Sequence, residues 1–463
     1  MRRWIVPLLA FGLSGCLVGP NYHRPAVAVP AQFPDAPATE APSIGDKKWF
    51  DLFQDATLKQ LVGTALDKNF DVRIAAERVA EARAQYGITR ANLLPTLDAT
   101  GGFTASRSSS IGSFPFIAPG TNLATSYTQA GLQLSWELDL WGRLRRLNEA
   151  ARAQYLATDE ARNGVIISLI SDVMTTYFTL RELDLELEIG RQNNGIARDN
   201  LRLIQLRKDR GAANGLEVHQ AEQFLYTTTA QIASVERSIA QTEDALNLLL
   251  ANAPAQVPRG ETLERITSPP ELPAGLPSSL IERRPDIRQA EQNLIAANAQ
   301  IGAARALFFP DISLTGFLGS QSRSLVGMFS GPARVESLAP AALLPIFHAG
   351  LRSGVRLTEA QEREMLLAYQ KSIYSALREV ADALAAHSRT REQRGEEEKL
   401  VAALSESVRL SNLRYRGGLD SYLQVLDAER NLFAVQLDLA QLRLLELQSV
   451  VQLYRALGGG WQL

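Results

Sequence analysis

The stretch TSYTQAGLQLSWELDLWG, residues 125–142, decides how the rest of this 463-residue chain is read. Ala130, Leu132, Leu134, Trp136, Leu138 and Leu140 alternate with Gln129, Gly131, Gln133, Ser135, Glu137 and Asp139. A period of two puts the apolar set on one face of a strand and the polar set on the other. LDATGGFTAS at 97–106 is a second candidate strand, joined to the first by a Ser-, Gly- and Pro-rich loop at 107–122. Farther on, DISLTGFLGS (311–320) and ESLAPAALLPIF (336–347) flank the loop 321–334 as a matching pair. A membrane-crossing strand needs about 9 to 11 residues with aromatics near the interfaces. Trp136, Trp141 and Phe347 stand at corresponding ends. Two ordinary hairpins on a water-soluble core are the other reading of the same alternation. In a membrane, four strands cannot close: the smallest barrels have about eight, and an open edge in hydrocarbon leaves backbone groups unpaired. Several chains must then complete one barrel together.

The chain matches itself. At an offset of 215, DVRIAAERVAEARAQYGITRANLLPTLDATG (71–101) lies over DIRQAEQNLIAANAQIGAARALFFPDISLTG (286–316), pairing Asp71 with Asp286, Arg90 with Arg305, Pro95 with Pro310 and Gly101 with Gly316. At an offset of 207, GLEVHQAEQFL (215–225) lies over YLQVLDAERNL (422–432). A unit of this length, far beyond a solenoid repeat, reads as a tandem duplication and points to a pseudo-symmetric assembly. The repeats are expected at 51–260, with a hairpin at 96–140, and at 261–463, with a hairpin at 311–347.

Around the hairpins the period is helical. Leu58, Leu61, Ala65, Leu66, Ile74, Ala75, Val79 and Ala82 step by threes and fours, predicting one helix that stops near Pro95. No proline occurs in 120–253 or from 346 to the last residue, so long helices are allowed there. A helix over 148–210 would run roughly 95 Å, longer than a globular domain. Its counterpart is 352–414. Each turns back through glycine, at RGAANG (210–215) and RGG (416–418), and Leu432, Val435, Leu439 and Leu442 carry a coiled-coil spacing. Such helices packed around an axis make a tube.

The first fifteen residues, MRRWIVPLLAFGLSG, pair two arginines with a short apolar run and small residues, the order of a secretory leader too short to span a bilayer. Behind it stands Cys16, the single cysteine of the chain. Leu-Ser-Gly-Cys resembles the bacterial lipobox, which implies a lipid-bearing N-terminal cysteine, and Leu17 in place of aspartate implies sorting to the outer membrane. A lone cysteine is otherwise usually an inert buried thiol, a role closed to one at the end of a leader. Six prolines between 19 and 43 extend the arm behind it, so residues 16–50 read as a lipidated tether.

Composition excludes several classes. Without Arg2 and Arg3, 46 of the 48 basic side chains face 50 acidic ones, a formal charge of −4, which gives no footprint for nucleic acid. No other cysteine exists to form a disulfide. No apolar run reaches eighteen residues, so any membrane crossing must use strands. His23, His219, His348 and His387 lack metal-ligand spacing, and no phosphate loop or nucleophile motif is present. No cofactor, metal or enzymatic activity is therefore expected.

CLVGPNYHRP, WFDLFQDATLKQLVGTALDKNFDV, LSWELDLWGRLRR, LPIFHAGLRS and YRGGLDSYLQVLDAERNL together resemble the TolC/OprM family of outer-membrane factors, in its lipoprotein branch. The likeness runs through essentially the whole mature chain. It implies a mainly α fold with membrane β: a homotrimer with a 12-stranded outer-membrane barrel, four strands per chain, atop a helical tunnel crossing the periplasm. It also implies docking to a periplasmic adaptor and an inner-membrane pump of the RND type, in efflux of small molecules. A conduit for type I protein secretion uses the same architecture. A periplasmic adaptor lacks oily alternating strands, and a long-helix lyase lacks a lipobox.

The resemblance further implies a gate at the periplasmic helix tips, where a tyrosine and two acids one turn apart face the pore. The tyrosine falls on Tyr415 and the second acid on Asp427, whereas Gln424 occupies the first acid position and Asp420 stands where the family has an arginine. Like charges gathered by threefold symmetry would repel and favour cations at the mouth. Asp427 as a plain solvated or capping residue is the alternative.

Overall fold

The computed structural model describes residues 17–33, 43–109, 123–266 and 273–460. The lipidation site expected at Cys16 lies outside them. The chain is mainly helical with one small sheet. In order, it forms α1 (Ala56–Lys68), α2 (Phe70–Ala91), β1 (Thr96–Arg107), β2 (Ala124–Glu137), α3 (Arg143–Asp209), α4 (Gly215–Leu249), α5 (Ser279–Arg283), α6 (Pro285–Ala306), β3 (Asp311–Ser322), β4 (Arg334–Leu343), α7 (Gly350–Arg416) and α8 (Tyr422–Ala456). These segments gather into two compact units. One comprises Ala80–Ala157 and Ala290–Ala368 with the N-terminal arm up to Pro25; the other comprises Ala26–Val79, Thr158–Gln289 and Tyr369–Leu463.

In the first unit the four strands form one antiparallel sheet in the order β1-β2-β3-β4. The register joins Leu97, Leu134, Gly316 and Leu338 in one row and Ala99, Leu132, Leu318 and Glu336 in another. Opposite partners share a face, so these rows put Leu97, Ala99, Leu132, Leu134, Leu318 and Leu338 on one side, with Glu336 at its edge. Asp98, Gln133, Phe317 and Ser337 belong to the other side. Pro340 sits in β4, which pairs only with β3 among the described residues, as a residue without an N–H requires.

The strand-to-helix passage explains the spelling WELDLWGRLR. Glu137 and Asp139 extend from the polar face of β2 toward the arginines of the first turn of α3. Arg143 grips Glu137 with Nε at 3.0 Å, and Arg145 donates to Asp139 at 3.2 Å. Asp139 also accepts the Leu144 and Arg145 backbone N–H groups at 3.1 and 2.9 Å, and so caps a 67-residue helix. Trp136 and Trp141 donate their indole N–H groups to the Leu93 and Pro310 carbonyls, tying the strand ends to the turns around them.

In the second unit the core is helical. One 18-residue window of α3 is apolar enough by composition to cross a membrane, but 56% of it is buried within the chain, the pattern of a core helix. The single helix expected from Leu58 to Ala82 is instead two. Asn69 breaks it with extended backbone (ψ 135), sends its amide to the Leu249 carbonyl, and turns its Oδ1 back to the Asp71 and Val72 N–H groups. One side chain thus ends α1 and starts α2, which a count of apolar spacings does not register. The apolar face changes accordingly: Leu58, Leu61 and Ala65 are buried, whereas Ile74 is half exposed.

Asp55 opens α1 as its N-cap, accepting the Thr57 and Leu58 N–H groups. Its other oxygen receives the Tyr177 hydroxyl at 2.7 Å and the Glu261 N–H at 3.1 Å, and Tyr177 in turn accepts the Gly260 N–H. Burial and this carboxylate push the Tyr177 phenol far above its ordinary value.

Candidate functional site

Two regions hold the residues that the sequence singled out: the sheet just described and the turns at which α3 passes into α4 and α7 into α8. The turns are built by glycine. Gly211 and Gly418 adopt φ of 72° and 74°, in the region glycine reaches at no steric cost. There the Ala212 N–H returns to the Arg207 carbonyl and the Leu419 N–H to the Arg414 carbonyl, closing the helix ends. Asn214 then caps α4 through Glu217 N–H. A shared core of Ile204, Val218, Phe224, Tyr415, Tyr422 and Phe433, among others, locks the four helices together beside the turns. Phe224 meets Phe433 edge to face at 6.3 Å.

Tyr415 belongs to that core. Its ring lies 5.6 Å from Tyr422 and takes the Arg207 guanidinium on its face at 4.5 Å. Burial pushes its hydroxyl above the usual phenol value, with Arg207 opposing. Asp420 lies in the turn, held by Nε and one terminal nitrogen of Arg414 and kept below the usual carboxylate range by those hydrogen bonds. Gln424 and Asp427 are exposed and, three residues apart, share one face of α8. Asp427 has Asn431 Nδ2 at 3.3 Å. The fold therefore brings Gln424 and Asp427 together, sets Asp420 on an arginine, and packs Tyr415 inside its own subunit.

Two residues beyond Asp427, on the buried side of α8, stands Glu429, which spacing alone did not single out. It is buried, accepts both contacts of the Asn200 amide at 2.9 and 3.0 Å, and is raised in pKa chiefly by burial. Its repeat partner Glu222 meets His219 at 2.8 Å.

The N-terminal arm is a further feature that sequence pattern did not expose. Arg146 is 1% exposed and donates to the Val18 carbonyl at 3.3 Å and to Asn21 Oδ1 at 2.8 Å. Tyr22 and Arg24 both engage Glu291, at 3.0 and 2.6 Å. The available signal was a glycine pair. Gly19 has φ +98°, and a Cβ there would fall 2.4 Å from the Gly302 Cα.

A sheet oily on one face, carried by paired long helices with glycine turns, is the subunit design of an outer-membrane channel. The chain belongs to the outer membrane efflux protein family, whose pattern matches residues 61–252 and 276–459. It is 41% identical over 459 residues to the toluene efflux pump outer membrane protein TtgI of Pseudomonas putida, covering 97% of this chain and 96% of that one. It is 36% identical over 462 residues to the cation efflux system protein CusC of Escherichia coli, covering 98% of each. In structure it is similar to the open-state MtrE outer membrane channel of Neisseria gonorrhoeae, with a TM-score of 0.86 at 33% identity over 96% of this chain and 99% of that one. It is an efflux channel of the outer membrane.

Proposed function

We propose that three copies of this chain form a conduit for small, mostly apolar molecules, fed by an inner-membrane pump of the RND type through a periplasmic adaptor. The observation that carries this reading is the sheet: four strands with one oily face, whose outer members β1 and β4 each have a ladder partner on one side only among the described residues. In hydrocarbon such edges must be paired, and twelve strands from three subunits do so. The name of the toluene pump relative favours apolar cargo. A wide water-filled tube selects little, so the pump sets the substrate and supplies the energy, and the channel performs no covalent chemistry.

The equal lengths of α3 and α7, 67 residues each, and of α4 and α8, 35 each, support the tandem repeat. The division is a leader at 1–15, a lipidated arm at 16–50, and repeats at 51–260 and 261–463. Cys16 carries the lipid. The gate lies at the α7–α8 turns, where threefold symmetry gathers Gln424 and Asp427, with Tyr415 bracing the turn from its core and Asp420 from its surface through Arg414.

Measuring the particle mass in detergent together with conductance in a planar bilayer tests the assembly. A trimer with discrete channel openings is expected. A water-soluble monomer that conducts nothing would overturn the reading.

A further inference from the structure

The arm beyond Cys16 has a fixed course. Val18 N–H donates to the Trp141 carbonyl at 3.1 Å, and Leu17 lies on Gly142, where a Cβ would come within 2.6 Å of Leu17 Cδ1. Arg146 holds the next carbonyls from its buried position, and Gly302 is bare because Arg146 and the Val18 carbonyl oxygen each stand 2.8 Å from where its Cβ would be. Leu17, the residue that follows Cys16 in the sequence, is thus held in place by the fold.

Beside Trp141 opens a cavity of about 260 Å³ lined by Leu138, Leu140, Trp141, Leu307, Phe309 and Leu343. Trp141 and Phe309 stack at 4.8 Å to form one wall. The oily row of β2 runs into it: Leu138 continues the face of Leu132, Leu134 and Trp136, its N–H bonded to the Ile312 carbonyl. Of the polar groups that also line it, Glu137 pairs with Arg143 and Asp139 with Arg145, and Asp311 and His348 complete the rim. Among the described residues, no side chain fills the space between these apolar walls.

We propose that this cavity receives one acyl chain of the lipid on Cys16. The proposal rests on the lipoprotein reading and adds to it: the anchor is a packing element of its own subunit, and the remaining chains enter the bilayer. At about 260 Å³ the cavity falls just below the usual range of ligand pockets, room for part of a single chain. The tryptophan that forms its wall also bonds the arm through its carbonyl, so lipid and strand end are fastened at one residue.

The test uses the full-length protein from cells fed a palmitate analogue carrying a diazirine, purified in detergent and irradiated, with intact mass recorded first. Expected is an acylated N-terminal peptide cross-linked within its own chain to 138–141 or 307–309. Leu140→Trp, which fills the cavity, should lower that cross-link at least several-fold while the intact mass still includes the lipid. An acylated chain whose cross-links go only to bulk lipid or to a neighbouring subunit would overturn the proposal and leave the lipoprotein reading standing. So would equal labelling of the cavity in a Cys16→Ala variant exported behind an ordinary leader, since membrane phospholipid would then be the occupant. An N-terminus with no acyl mass would overturn the lipoprotein reading itself, and the proposal with it.

Discussion

Gly131 and Gly319 face each other across β2 and β3, and the ring of Phe317 lies over both. A Cβ on Gly319 would fall 2.3 Å from the Ala130 carbonyl oxygen and 2.7 Å from Phe317 Cζ. Gly319→Val is therefore expected to reduce the heat-resistant trimer seen on mild gels, at an overpacking cost of about 1–3 kcal/mol per subunit. Because the nearest obstacle is backbone, adding Phe317→Ala should not restore it. Full recovery in the double variant would mean that the ring alone sets the constraint.

Leu134 shares a row with Leu97 and Leu338 on the oily face. Leu134→Arg there should cost about 2–4 kcal/mol if it sits near the bilayer midplane, visible as loss of folded protein from the outer membrane. Gln133→Arg, one residue away on the polar face, should assemble normally. Equal behaviour of the two would remove the assignment of faces.

This much of the architecture was legible in sequence because it is periodic. Alternation over residues 130–140 located β2, which ends at Glu137, and the absence of proline from 120–253 anticipated α3 and α4. What escaped was carried by single polar side chains acting at a distance in sequence. Asn69 splits a helix by bonding Leu249, and Arg146 gathers an arm more than a hundred residues upstream. Neither leaves a period. At the helix turn, the family resemblance singled out Gln424 and Asp427 one turn apart, but the burial of Tyr415 against Arg207 left no trace in the sequence, because both residues read as ordinary members of their helices.

Asp139 joins the polar face of β2 to the start of α3 through two backbone N–H groups. Removing a cap costs about 0.5–2 kcal/mol, and the loss of Arg145's partner adds to it. Asp139→Ala should lower the thermal midpoint of the detergent-solubilised protein, and Asp139→Asn, which still accepts hydrogen bonds, should recover part of the loss. Identical midpoints for the two variants would show that charge pairing, not capping, is what matters.

Glu182 in α3 is buried, and its pKa is pushed up to about 8, first by burial and then by Glu186, which repels a second negative charge and hydrogen-bonds the protonated form. The fold thus favours the protonated carboxyl. Its stabilisation is complete below the ordinary value of 4.5 and is lost as pH rises through about 8. Denaturation monitored between these limits should give stability declining with pH in this chain and a flatter profile in Glu182→Gln. A decline of the same slope in the variant would assign the effect to other groups.

Gln424 and Asp427 occupy the exposed face of α8 beside a turn braced by the Arg414–Asp420 pair. If threefold symmetry brings this face to the channel mouth, each carboxylate there counts three times. Asp427→Ala should raise single-channel conductance and weaken cation preference in planar bilayers, whereas Gln424→Glu should strengthen that preference, most clearly at low salt where screening is weakest. Arg414→Ala releases Asp420 and loosens the turn, so it should raise the frequency of opening with little change in ion preference. Unchanged conductance and selectivity in both the Asp427 and Gln424 variants would make this face ordinary solvated surface and place the constriction elsewhere.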